Sequence, residues 1–182
     1  MPAPELDAHL GTLPAAAWRT VQRGQRHVTL AFLGALPDGV DKRLAQVLDA
    51  VLEGQAGFFL DLAGLGAFPD GRRPTSLWVG CASGTESMVP LAARVRDALN
   101  QVGFSVDRRP LRAHVTLARR RSGVPPQDAA RDAASWQRAG AGRIWARMWV
   151  PQVVLWRSQL EAGGARYTEL GAWPLAGRRV VP

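Results

Sequence analysis

His27-Val28-Thr29-Leu30-Ala31 recurs without change as His114-Val115-Thr116-Leu117-Ala118. The copies lie 87 residues apart and use two of the three histidines in the chain. Two copies are too few for a solenoid, which needs three or more stacked units. The simplest architecture that accounts for them is two lobes related by an approximate two-fold, each supplying one strand. Alternate side chains of an extended segment share a face, so His27 and Thr29 point one way and Val28 and Leu30 the other; His114 and Thr116 behave likewise. The Val/Leu face suits a core, which leaves the His/Thr face to line a groove.

The elements around the repeat are mixed. Val40, Leu44, Val47, Leu48 and Val51 recur at helical spacing and predict a helix over about 40–53 with Gly54 past its end. Val89, Ala92, Val95 and Leu99 predict another over about 86–102, with Ser83 or Thr85 as candidate caps, Pro90 in its first turns and Gly103 as its stop. Leu6 and Leu10 mark a short N-terminal helix, and a further one is expected near 128–137. Strands are expected at 57–62, 77–81, 145–150 and 152–160, the last returning over 165–173 as a hairpin through a turn at 161–164. Helices and strands interleave without regular βαβ alternation, which points to the α+β class in a single domain over 1–182.

A chain of 182 residues that is 47% apolar can bury a full core without covalent staples. Its formal charge of +8 favours polyanionic partners. Of the 23 basic residues only Lys42 is lysine, and Ile144 and Asn100 are each the sole residue of their kind, a skew typical of G+C-rich coding. The preference for arginine therefore says nothing of phosphate recognition. Cys81 is the only cysteine, which excludes an internal disulfide and a multi-thiolate metal site. With no signal-like N-terminus and no apolar run near the ~18 residues of a membrane span, a soluble cytoplasmic protein without membrane partners is expected. Walker, zinc-finger, EF-hand and metalloprotease spacings are absent.

Two imidazoles and two hydroxyls around one centre suit phosphodiester chemistry. Residues two apart on a strand are ~6.6 Å apart, so a His and the next-but-one Thr can touch neighbouring atoms of one small group. In-line displacement at phosphorus needs a base for the attacking oxygen and an acid for the leaving oxygen. Histidine, titrating ordinarily near pH ~6.5, can serve as either. Threonine hydroxyls can donate to the non-bridging oxygens as their charge rises. The chemistry requires no metal and no cofactor.

Five blocks carry a resemblance to a known family: Pro4-Glu5-Leu6, His27 to Gly34, Leu77-Trp78-Val79-Gly80, His114 to Arg119, and Gly163 to Tyr167. With its paired His-x-Thr-x motifs the chain resembles the 2H phosphoesterases, in particular the RNA 2′,3′-cyclic phosphodiesterases, also called 2′-5′ RNA ligases. The resemblance implies two pseudo-symmetric lobes, each an antiparallel sheet with helices packed outside, and His-x-Thr strands lining a central groove. It implies metal-independent hydrolysis of RNA 2′,3′-cyclic phosphate termini to 2′-phosphomonoesters, with His27 as proton donor to O3′ and His114 as proton acceptor from water. The sequence alone does not order these two roles. Thr29 and Thr116 would hold the phosphoryl oxygens. Arg119 would lie near the phosphate, although strict alternation puts it on the Val115/Leu117 face, so a bulge or the strand's end must turn it. Phe32, the equivalent position after the first motif, would contact the terminal base.

Partners implied are RNA with a cyclic phosphate end and small 2′,3′-cyclic nucleotides, bound by a monomer. The alternatives are 2′-5′ ligation on the same residues and a non-catalytic RNA-end binding module. One departure stands out: relatives open with a short apolar strand before Pro-Glu-Leu, whereas this chain begins almost at that segment. The start then lies further upstream, or one lobe lacks a strand and exposes an edge. Among residues outside the motifs, Arg108, Arg109, Arg112, Arg120 and Arg121 either track an RNA backbone or form a solvated basic loop. His9 reads as a helix-surface or packing histidine, Cys81 as a buried inert thiol, and the seven tryptophans as core and sheet-face residues.

Overall fold

Apolar spacing in the sequence becomes two separate cores in the computed structural model, which describes residues 4–176 apart from 38, 108, 162 and 163. The elements run α1 (Pro4–Leu10), β1 (Trp18–Thr20), a 3₁₀ turn (Arg23–Gln25), α2 (Asp41–Leu52), β2 (Phe58–Phe68), β3 (Ser76–Cys81), α3 (Thr85–Gln101), β4 (His114–Arg120), α4 (Pro126–Ala139), β5 (Ile144–Val150), β6 (Gln152–Glu161) and β7 (Gly164–Pro174). The class is α+β, as the interleaved pattern predicts. No described helix is long and apolar enough to cross a membrane.

The chain divides into two compact units. The first takes the residues up to Thr29, Leu60–Thr85 and Arg112–Met148; the second takes Leu30–Phe59, Glu86–Leu111 and the chain from Trp149 onward. The first carries a five-stranded sheet in the order β1-β4-β3-β2-β5, with β4 antiparallel to both β1 and β3, and β2 antiparallel to β3. Leu62, Leu77, Val79, Val115 and Leu117 of this sheet share one core with Leu6 and Leu10 of α1 and Ala129, Ala133 and Trp136 of α4. Both helices therefore cover the same face of the sheet. In the second unit Leu44, Leu48 and Leu52 recur every fourth residue on α2 and meet Leu91, Val95 and Leu99 of α3, with the β6–β7 hairpin contributing Val153, Leu155 and Trp173. The residues at the hairpin's tip, 162 and 163, lie outside the described set, as does Arg108.

Three expectations need correction. The first repeat is not a strand: it makes a single antiparallel bridge, Val28 to Val115, directly after the 3₁₀ turn. That turn is held by Arg26, which bonds back to Val21 and Asp7 and coils the chain away from β4 until Val28. Nor does each unit supply one copy: the second copy lies wholly in the first unit, which also holds His27, Val28 and Thr29, while Leu30 and Ala31 of the first copy belong to the second unit. Finally, β2 continues to Phe68, six residues past its expected end at Leu62. Gly64 and Gly66 suggest a break, but Gly64 adopts φ +64° at a bulge and Gly66 makes room for the Trp78 ring, where a Cβ would come within 2.1 Å. Three-residue β1 was not anticipated, being too short to show a period.

His9 packs as expected, its ring 4.9 Å from that of Trp136 and 5.2 Å from that of Trp145. Arg143 lies over Trp145 and pairs with Glu5 on the same helix as His9. Burial, and secondarily the Arg143 charge, hold the imidazole below its ordinary pKa of 6.5. The folded protein therefore binds this proton less tightly than the unfolded chain. Stability present above pH 6.5 is lost as pH falls through the lowered value. Thermal denaturation should show Tm falling between pH 7 and pH 5, and His9→Phe, which keeps the stack, should flatten that slope; an unchanged slope would refute the role of His9.

Candidate active site

Strand β4 presents two chemically opposite faces. Val115 and Leu117 are buried in the core, while His114 and Thr116 lie on the other face, half-exposed. The antiparallel bridge between Val28 and Val115 sets the first copy beside it. With equivalent valines paired, antiparallel register sets His27 across from Thr116 and Thr29 across from His114, all on one face. His27 and Thr29 are exposed and Val28 is not, in keeping with that alternation. The four expected residues thus belong to one constellation within the first unit.

Arg119 joins them through a bulge. Trp78 pairs with Thr116 but Leu77 pairs with Ala118, so Leu117 is an extra residue on β4. Leu117 and Ala118 are both fully buried, and the alternation restarts with Arg119 exposed. Its partner Ser76 stands two residues from Trp78 on β3 and shares its face, which puts Arg119 on the face of Thr116. Across the other edge Arg119 pairs with Arg19 of β1, a second arginine on this face that sequence periodicity could not have found.

Both imidazoles are oriented in the same way. Nδ1 of His27 is 2.7 Å from the Gln25 carbonyl oxygen, and Nδ1 of His114 is 2.6 Å from that of Arg112. A carbonyl only accepts, so each Nδ1 carries a hydrogen, and any proton exchange by the neutral ring falls to Nε2. Behind each carbonyl the supports differ. Arg112 sits just before β4, whereas Gln25 closes the 3₁₀ turn, whose next residue, Arg26, donates from Nη1 to Asp7 at 2.6 Å and from Nε to the Val21 carbonyl at 3.2 Å. Arg23 reaches the same carboxylate at 2.7 Å. The Arg26 and Asp7 side chains are only 5% and 14% exposed, which makes this an interior ion pair.

Around His114 the sheet supplies aromatic surface. Phe68 meets it edge-on with ring centres 4.9 Å apart, and Trp78 lies 5.1 Å from Phe68 and 6.0 Å from His114. The Arg112 guanidinium lies 4.8 Å from the centre of the Phe68 ring. Phe32 belongs to the second unit and is 69% exposed. Cys81 has its thiol pushed up to about 11 by burial, in line with an inert role. Among the described residues no three His, Cys, Asp or Glu side chains gather in a way that could hold a metal ion.

A family model for the 2′-5′ RNA ligase superfamily matches residues 2–160. An RNA 2′,3′-cyclic phosphodiesterase of Geobacillus stearothermophilus is 34% identical over 168 residues, which are 91% of this chain and 50% of that protein. Its namesake in Escherichia coli K12 is 28% identical over 165 residues, 89% of this chain and 82% of that one. Among solved structures, TT0787 of Thermus thermophilus shares the fold with a TM-score of 0.74 at 24% identity, covering 98% of this chain and 96% of that chain. LigT of E. coli complexed with 3′-AMP gives 0.68 at 26% identity, covering 94% and 89%. The chain spans about half the length of the first curated relatives it matches.

The interior anchor behind His27 is separately testable. Asp7→Ala leaves the Arg26 guanidinium buried without its carboxylate and should lower the unfolding free energy by about 3 kcal/mol, as breaking a buried pair does. Urea denaturation measures this, and a loss of ~0.5 kcal/mol or less, the value of a surface pair, would show that the anchor carries no weight.

Proposed function

Because the chain belongs to the 2′-5′ RNA ligase superfamily, we propose that it hydrolyses RNA 2′,3′-cyclic phosphate ends to 2′-phosphates by paired general acid and base catalysis. One observation carries the reading: Val28 of the first copy bridges Val115 of the second in antiparallel register, while each Nδ1 is committed to a carbonyl. Antiparallel pairing of equivalent residues is locally two-fold symmetric, so the two motifs face a shared centre as pseudo-symmetric halves of one phosphate-binding groove. The relatives named RNA 2′,3′-cyclic phosphodiesterase supply the substrate class.

A cyclic phosphate placed at that centre meets Nε2 of one ring on each side. His114 takes the proton from the attacking water as its oxygen bonds to phosphorus. His27 gives a proton to O3′ as the P–O3′ bond breaks, leaving a 2′-phosphate. Hydroxyls of Thr29 and Thr116 donate to the two non-bridging oxygens, whose charge rises in the transition state. Arg119 adds positive charge from the same face. Small cyclic nucleotides fit the same centre, because every named contact is to the phosphate. Joining a 5′-hydroxyl to the cyclic end follows the same in-line path with the hydroxyl in place of water, its proton passing to His114 as the P–O3′ bond breaks and O3′ takes a proton from His27.

An RNA oligonucleotide ending in a 2′,3′-cyclic phosphate, incubated in EDTA, should yield a 2′-phosphate; a 3′-phosphate, or no product, refutes the reaction. His27→Ala and His114→Ala should each lower kcat/KM by ~10²–10⁴-fold with the circular dichroism spectrum retained, the usual range for one acid or base. Near-normal turnover in either variant would remove that histidine from the mechanism. The ratio of joined to hydrolysed RNA at end point separates ligation from hydrolysis.

A further inference from the structure

We propose that the Arg112 guanidinium, seated on Phe68 and Trp78 beside His114, is the stacking surface for the nucleobase of the nucleotide whose cyclic phosphate is opened. The proposal rests on the reading of the site given above and specifies how its substrate is gripped. The ledge is built from the sheet outward. Gly66 of β2 pairs with Trp78 of β3, and the indole lies so close over the glycine that a Cβ there would sit 2.1 Å from the ring. Phe68, two residues on and on the same face, contacts Trp78 at 5.1 Å and turns its ring 79° to that of His114. Arg112 precedes His114 by two residues, and its Cζ lies 4.8 Å from the Phe68 ring centre and 5.8 Å from that of Trp78.

This arginine is placed for a ligand more than for stability. Its side chain is 61% exposed, and its ion pair with the equally exposed Asp70 is long, at 3.8 Å. An exposed pair of that length contributes little to folding. Rings beneath a guanidinium fix its plane and leave less entropy to lose when a second planar group arrives. Guanidinium planes and aromatic rings are the two surfaces on which proteins stack unpaired bases. The ribose carries its base and its cyclic phosphate on different sides of the sugar, so a phosphate at His114 leaves the base about one ribose away. The ledge starts at ring contact from His114 and runs outward along the sheet. Because Arg112 orients His114 through its backbone carbonyl, side-chain substitution leaves that hydrogen bond possible.

The test compares cytidine 2′,3′-cyclic phosphate with methyl β-D-ribofuranoside 2,3-cyclic phosphate, which lacks a base, in the wild type, Arg112→Ala and Arg112→Lys. The wild type should favour the nucleoside in kcat/KM, and that preference should fall roughly tenfold in both variants, within the range of one stacked base. Equal losses on both substrates would overturn the proposal, as would an Arg112→Lys enzyme that keeps the preference, since lysine retains charge but not the plane. Calorimetric binding of cytidine 2′-monophosphate against methyl riboside 2-phosphate reads the ledge without turnover. If no substrate is hydrolysed the proposed reaction fails, whereas the ledge stands or falls on whether this binding ratio drops in Arg112→Ala.

Discussion

Burial of Val115 and Leu117 in the core of the first unit is the constraint on which the site depends. Both are essentially inaccessible, and full burial of such side chains is worth ~1.5–3 kcal/mol each. A slip of one residue in β4 would bring His114 and Thr116 into the core and expose the valine and leucine. The apolar face thereby fixes the orientation of the polar one. The same logic reaches the first copy through Val28, which packs on the edge of that core and carries His27 and Thr29 outward with it. Two residues of catalytic type thus owe their placement to two valines that take no part in the chemistry.

This dependence explains what was legible in the sequence. Strict alternation around His114 was readable, and so was the need for a bulge or the strand's end to turn Arg119, because both follow from strand geometry alone. The helices at Asp41–Leu52 and Thr85–Gln101 were readable from four-residue apolar spacing. The irregular path of the first copy was not, since it depends on Arg26 meeting Asp7 nineteen residues away, a contact without periodicity. The continuation of β2 through Gly64 and Gly66 was hidden for a similar reason. Glycine normally weakens a strand, and only the neighbouring indole shows why it is required there. Phe68 was lost with that continuation, and Arg112 looked like one more member of a basic loop.

The pentapeptide is duplicated, but its surroundings are not. Each histidine donates from Nδ1 to the carbonyl two residues upstream, so chemistry that needs a defined tautomer is met identically on both sides. The upstream residues differ in kind: Gln25 closes a turn pinned by an interior ion pair, while Arg112 leads directly into a strand flanked by aromatic rings. A symmetric reaction centre would serve as acid and base interchangeably. On the proposed reading, unequal surroundings supply what the motif lacks, a reason for the substrate to enter in one orientation.

The charge of +8 takes on a narrower meaning in this light. Arg23 and Arg26 share Asp7, while Arg109, Arg131, Arg143 and Arg157 each meet an acidic side chain, so much of the arginine content is engaged in internal pairs. Beside His27 two arginines converge on one carboxylate. On the sheet face Arg19 and Arg119 stand opposite one another, and Arg112 beside His114 is tied to Asp70 only at 3.8 Å. Arg119 adds positive charge on the face of Thr116. A field of this kind speeds the arrival of an anionic end and is screened by salt within about 10 Å, whereas hydrogen bonds from threonine and proton transfer at Nε2 act at contact and escape that screening. On the proposed reading, capture of the RNA and cleavage of its terminal phosphate draw on different residues of the same sheet face.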